Sequence, residues 1–152
     1  MDLENRQIDI VEIMDKIPHR YPMLLVDRII EINEEGCIGR KCVTMNEEIF
    51  QGHFPGAPIF PGVLTVEAMA QTASVYVMTL LEAEGEQDNL VCFMSIDKVK
   101  FRKPITPGDT MEFHITKVAQ KGPVWSFKGV AKVDGKVASQ AEFKAMITPR
   151  NK

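Results

Sequence analysis

Cysteine is scarce in this chain. Cys37, Cys42 and Cys92 are the only three, none forms a C-x-x-C pair, and any pairing leaves one over. A disulfide framework is thereby excluded, and three reduced thiols in a cytoplasmic protein are expected. No His, Cys or carboxylate cluster has metal-ligand spacing, so no metal site is expected. Positive charge is not in excess either: Lys plus Arg number 18 against 21 Asp plus Glu, a net charge of −3. A dedicated nucleic-acid binder needs a basic surface, so that class is set aside, although a local basic patch stays open. No stretch reaches about 20 unbroken apolar residues, so no membrane span is expected. The first fifteen residues are acidic where a signal peptide would be basic and then apolar, so no targeting segment is expected. There is no internal repeat and no low-complexity tract.

What is present fits one domain over residues 1–152. The chain is 45% hydrophobic and 26% charged, the balance of a soluble globular protein. Ile10, Ile13, Met14 and Ile17 recur at helical spacing before Pro18, which predicts a short helix over about 9–16. Strand-like runs follow at about 23–33 and 37–45, split by the turn-forming Asn33-Glu34-Glu35-Gly36. Gly52 to Gly62 (GHFPGAPIFPG) holds three glycines and three prolines and is read as a fixed loop. It has neither the Lys nor the glycine spacing of a phosphate-binding loop. Residues 63–84 are apolar nearly all round, the mark of a buried helix. Four more strands are expected at about 90–102, 109–119, 124–133 and 136–147, with Asp134-Gly135 as a hairpin turn. The expected fold class is α+β: a six-stranded antiparallel sheet wrapped around one long central helix. One side of such a sheet needs covering, which points to a homodimer.

From Phe54 through Leu81 the only charged side chain is Glu67. It is either a carboxyl satisfied by solvent or backbone, or one tuned by burial for acid–base work. His53 lies fourteen residues upstream in the stiff loop that leads into the helix. A histidine there either caps a turn or serves as a general base. Pro61-Gly62 opens the helix, where unpaired amides and the helix dipole favour negative charge, so the Gly62 N–H can serve an oxyanion. Together an imidazole, a carboxyl and an oxyanion donor suit enolate chemistry beside a thioester carbonyl. His114 falls on the polar parity of its strand, and His19, in the turn PHRYP, is adequately explained by packing or capping. Cys42 and Cys92 read as small strand hydrophobes.

Three segments carry a family resemblance: PHRYPMLLVDRI at 18–29, GHFPGAPIFPGVLTVEAMAQ at 52–71 and KVKFRKPITPGD at 98–109. They resemble the FabZ family of 3-hydroxyacyl-[acyl-carrier-protein] dehydratases, over about residues 10 to 148. The resemblance implies the hotdog fold and the dehydration of (3R)-3-hydroxyacyl groups held on the phosphopantetheine arm of acyl carrier protein. It implies His53 and Glu67 as the catalytic pair, contributed by opposite subunits, with the Gly62 amide polarising the thioester carbonyl. It further implies a trimer of dimers and no metal or organic cofactor. Glu67 stands where the related FabA branch, which also isomerises the double bond, has Asp. An acyl channel lined by Ile59, Phe60, Leu64 and Met94 is one expectation, with ordinary core packing as the alternative. Lys98, Lys100 and Arg102 share a strand parity beside Lys103, and are expected either to dock an acidic carrier protein or to be a solvated face. The rival functions are a hotdog thioesterase and a non-catalytic acyl-thioester binder.

Overall fold

The computed structural model describes residue 3 and residues 5–86 and 88–150. The elements in chain order are α1 (Ile10–Lys16), β1 (Arg28–Asn33), β2 (Gly36–Cys42), a single helical turn at Glu48–Gln51, α2 (Gly62–Ala83), β3 (Asn89–Phe101), β4 (Thr110–Lys121), β5 (Val124–Val133) and β6 (Lys136–Pro149). All six strands join one antiparallel sheet in the order β1-β2-β4-β5-β6-β3. The sheet curls around α2, as the sequence pattern predicts. Val66, Met69, Ala73 and Tyr76 of the helix share one core with Phe113, Ile115, Phe127, Ala141 and Phe143 of the strands.

Small side chains let helix and sheet come close. A Cβ on Gly39 would sit 2.7 Å from the Thr72 side chain, and one on Gly129 would sit 2.8 Å from Met69 Sδ. The Tyr76 hydroxyl donates to the Glu34 carbonyl at 2.8 Å, tying the β1–β2 turn to α2. Fifteen of the 22 residues of α2 are buried. By length and composition α2 could cross a membrane, but 78% of its apolar window is buried inside the protein. It is the core helix of this fold.

α1 begins at Asp9, whose side chain accepts from the Glu12 N–H at 3.0 Å, an ordinary N-cap. Its last residue, Lys16, is nearly buried and ion-paired with Glu82 of α2 and, at 3.3 Å, with Glu12. That clamp fixes where the chain leaves α1, and so places residues 17–25 along α2. Asp134 and Gly135 both have positive φ, 51° and 76°, as the two-residue hairpin requires.

Three expectations need correcting. Residues 23–27 are not strand, because the backbone of Met23 and Leu25 bonds to a helix side chain instead. Residues 43–45 leave the sheet as well, Val43 exchanging backbone bonds with Gly108 and Asp109. Cys42 and Cys92 are exposed, and the buried thiol is Cys37, which burial pushes well above the usual thiol range.

Candidate active site

His53 is held from several sides. Its N–H donates to the Ile49 carbonyl at 3.1 Å, its carbonyl accepts from the Ile59 N–H at 3.0 Å, and its ring stacks on Phe54 with centroids 4.0 Å apart. Phe54 and Ala57 exchange two backbone bonds, and the Phe60 N–H donates to the Ile105 carbonyl at 2.7 Å. The proline-rich loop is therefore a fixed platform.

The imidazole Nδ1 lies 2.6 Å from the Ile59 carbonyl oxygen. A carbonyl can only accept, so Nδ1 carries the hydrogen of that bond. In the neutral ring the lone pair is then on Nε2, which makes that nitrogen available as a base. The half-buried ring borders a cavity of about 490 Å³ whose other walls include Ile59, Phe60, Gly62, Thr65, Phe101 and Ser139.

The start of α2 enters the same cavity. Pro61 stands at the N-cap and no side chain caps this end. Leu64 and Thr65 turn their N–H groups back to the Pro61 carbonyl at 3.0 and 3.2 Å, leaving Gly62 and Val63 at the helix tip with the positive end of the dipole. Gly62 is also closely covered by the side chain of Phe101. A Cβ there would lie 2.5 Å from Cε1 of Phe101.

Glu67 lies on a different face. At 3.6 residues per turn, five residues beyond Gly62 is a rotation of about 140° around the helix. Glu67 accordingly does not line the His53 cavity. Its Oε2 accepts from Gln71 Nε2 at 2.8 Å and lies 3.5 Å from His19 Nε2. The side chain retains about a third of its exposure, so the carboxylate borders solvent rather than being walled into the core. Gln71 is fully engaged: Nε2 also donates to the Met23 carbonyl at 2.7 Å, and Oε1 accepts from the Leu25 N–H at 2.8 Å. The family segments at 18–29 and 52–71 thus meet around one carboxylate.

His19 and Gln71 are the residues that sequence reasoning missed. Gln71 stood one helical turn after Glu67, where an i,i+4 contact is always possible, and His19 sat between two prolines. Those were the available signals. The chain brings His53, Gly62, Ile59 and Phe60 together and leaves Glu67 apart from them.

The remaining expected residues scatter. Leu64 packs against the core, and Met94 is 54% exposed on β3, both away from this cavity. Phe60 is a core side chain as well, its ring 6.3 Å from that of Phe50. The basic stripe is broken, because the β3 register slips between Asp97 and Lys100 and Lys98 takes a positive φ of 52°. Lys98 lies 3.6 Å from Glu142, Lys100 is exposed, and Arg102 Nε donates to Gln140 at 3.1 Å. Arg102 and Lys103, beyond the end of β3, border the His53 cavity. Among the described residues, no three His, Cys, Asp or Glu side chains gather as a metal site.

Known proteins match this architecture over nearly its full length. The family model for a FabA-like domain matches residues 17–151. A 3-hydroxyacyl-[acyl-carrier-protein] dehydratase FabZ of Rhizobium leguminosarum is 54% identical over 140 residues, covering 91% of this chain and 88% of that one. The FabZ of Helicobacter pylori is 51% identical over 149 residues, 95% of this chain and 94% of that one. Among solved structures, the dehydratase heterocomplex ApeI:P of Xenorhabdus doucetiae superposes with a TM-score of 0.79 over 91% of each chain at 19% identity, a likeness of fold. The chain belongs to the FabA-like family, and within it groups with the FabZ proteins.

Proposed function

We propose that this protein dehydrates (3R)-3-hydroxyacyl groups carried on acyl carrier protein to trans-2-enoyl groups, in type II fatty-acid biosynthesis. The observation that carries the reading is the fixed His53 tautomer, with Nε2 free beside the uncapped start of α2. Nε2 takes the proton alpha to the thioester, and the developing enolate oxygen rests on the Gly62 amide. The carbon–oxygen bond at C3 then breaks, and the hydroxyl leaves as water with the proton of Glu67 in its carboxylic acid form, which leaves the carboxylate. A C–H and a C–O bond break while a carbon–carbon π bond and an O–H bond of water form, and the proton taken by His53 returns to Glu67 through solvent, with no redox change.

His53 and Glu67 face different sides of one chain, so a complete site needs a second copy. β3 supplies the surface for it. This 13-residue strand is a sheet edge, and it exposes Met94, Ile96 and Phe101 to 54%, 51% and 56%. A long apolar edge favours pairing with another strand. The assembly is a homodimer through β3, built further into a trimer of dimers in the cytoplasm. Arg102 and Lys103 at the cavity's border suit an acidic carrier protein, with Lys98 and Lys100 farther along β3.

The purified protein is incubated with (3R)-3-hydroxybutyryl-carrier protein and the acyl group followed by mass spectrometry. Loss of one water, reduced by at least about a hundredfold in His53→Ala, is the expected result. Release of the free acid marks a thioesterase, and binding without turnover marks an acyl-thioester sensor; either result overturns the reading.

A further inference from the structure

The turn that carries His19 is tied down at both ends. Before it, Lys16 is ion-paired with Glu82 of α2; after it, Gln71 holds the Met23 carbonyl and the Leu25 N–H. Between them the Arg20 guanidinium donates to the carbonyls of Met14, Ile17 and His19 at 3.0, 3.0 and 2.7 Å. A turn held at so many points places its side chains at little further entropic cost. A neutral imidazole has one N–H to place. His19 Nδ1 is buried and among the described residues has no hydrogen-bond partner, so a hydrogen there would have no acceptor. Nε2 faces Glu67 Oε2 at 3.5 Å. The hydrogen therefore belongs on Nε2, the opposite tautomer to that of His53. The contact is longer than a strong hydrogen bond, and catalytic bonds of this kind tighten with substrate in place.

The Gln71 amide donates to the same oxygen at 2.8 Å, so both donors converge on Oε2 rather than Oε1. In a carboxylic acid the carbonyl oxygen accepts and the hydroxyl oxygen gives, so two donors on Oε2 assign the acid hydrogen to Oε1. Neither donor is a fixed charge. A Lys or Arg beside a carboxylate favours its ionised form, and the nearby cations are engaged elsewhere: Lys16 with Glu12 and Glu82, Arg20 with backbone carbonyls. We propose that His19 is a positioning residue for the acid step: with the Gln71 amide it holds Glu67 Oε2 through uncharged donors and leaves Oε1 to deliver the proton to the departing hydroxyl. This role rests on the dehydratase reading and specifies how the acid of that reading is oriented. His19 keeps its own proton throughout; the O–H bond of Glu67 breaks and one of water forms.

Three substitutions separate donor, charge and bulk. His19→Gln keeps an uncharged N–H near the position of Nε2, His19→Phe keeps a flat ring without a donor, and His19→Lys keeps a donor but adds a fixed charge. Each is assayed for kcat, KM and Tm with (3R)-3-hydroxybutyryl-carrier protein. In His19→Gln kcat stays within about threefold of wild type; in His19→Phe it falls about tenfold, and in His19→Lys at least as far. KM stays within about twofold in all three, since the group acts on the acid and not on binding. Equal kcat in the Gln and Phe variants, a Lys variant as active as the Gln variant, or a raised KM with kcat unchanged overturns the proposal. Should His19→Phe fail to fold, the comparison of Gln with Lys decides alone. A wild-type protein that forms no enoyl product removes the dehydratase reading, and this role with it; an active wild type whose three variants match it removes the role of His19 only.

Discussion

Gln71 does two jobs at once, holding the Glu67 carboxylate and closing the backbone groups of Met23 and Leu25. Gln71→Leu keeps the bulk but strands a buried N–H and a carbonyl, so stability falls by about 2 kcal/mol or more. Glu67 loses its orienting donor, and kcat falls by about tenfold with little change in KM. Urea denaturation and steady-state kinetics on the same preparation check both halves. The residue scale also sets an alkaline limit. Cys37 is raised by burial, and Tyr76 by burial and then by the neighbouring Cys37, Glu34 and Glu35. The fold keeps both groups protonated, while in the unfolded chain they ionise near 9.0 and 10.0. The stability they carry is complete below pH 9 and declines as pH rises above it, by at most about 1.4 kcal/mol per pH unit for each group. Cys37→Ala should flatten that decline between pH 9 and 11; an unaltered slope contradicts the assignment. His53 and Glu67 could be picked out in the sequence as candidates because each is a titratable side chain in an apolar or rigid stretch. Gln71 could not. It is uncharged, and its role depends on a segment 46 residues away in sequence.

At the scale of elements, the closeness of α2 and the sheet depends on glycine. Gly39→Ala drives a Cβ to 2.7 Å from Thr72, a side chain that is fully buried and bonded to the Ala68 carbonyl. It has little room to yield, so the substitution destabilises by about 1–3 kcal/mol. A thermal midpoint unchanged in Gly39→Ala contradicts so tight a contact. Gly62→Ala differs in kind: it meets the exposed ring of Phe101, which can swing away, so its effect falls on the cavity more than on the fold. The central helix and the six strands were readable because apolar periodicity and the Asp134-Gly135 turn act locally. Strand ends were not, since residues 23–27 and 43–45 are extended in character but find other hydrogen-bond partners. The basic stripe failed for a related reason. A bulge adds a residue to one strand and reverses the alternation beyond it, and nothing in KVKFRK marks where the slip occurs.

For the whole molecule the issue is completeness. One chain places His53 and the Gly62 amide, the proposed base and oxyanion donor, beside one cavity, and the Glu67 carboxylate about 140° around the helix from Gly62. The exposed apolar edge of β3 runs to Phe101 at the wall of that cavity, so in the proposed dimer the surface that joins two copies is continuous with the site. The proposed assembly couples pairing to activity, and it predicts that a change that breaks the β3 pairing abolishes turnover without touching His53. The most direct test of that coupling is subunit complementation. His53→Ala and Glu67→Gln, each inactive alone, are mixed, dissociated and reassembled, and the dehydration rate is measured. If the pair comes from opposite subunits, each mixed dimer holds one intact and one doubly defective site, and by two-fold symmetry about a quarter of wild-type activity returns. Activity no greater than the sum of the two separate variants places both residues in the same subunit's site and contradicts the account.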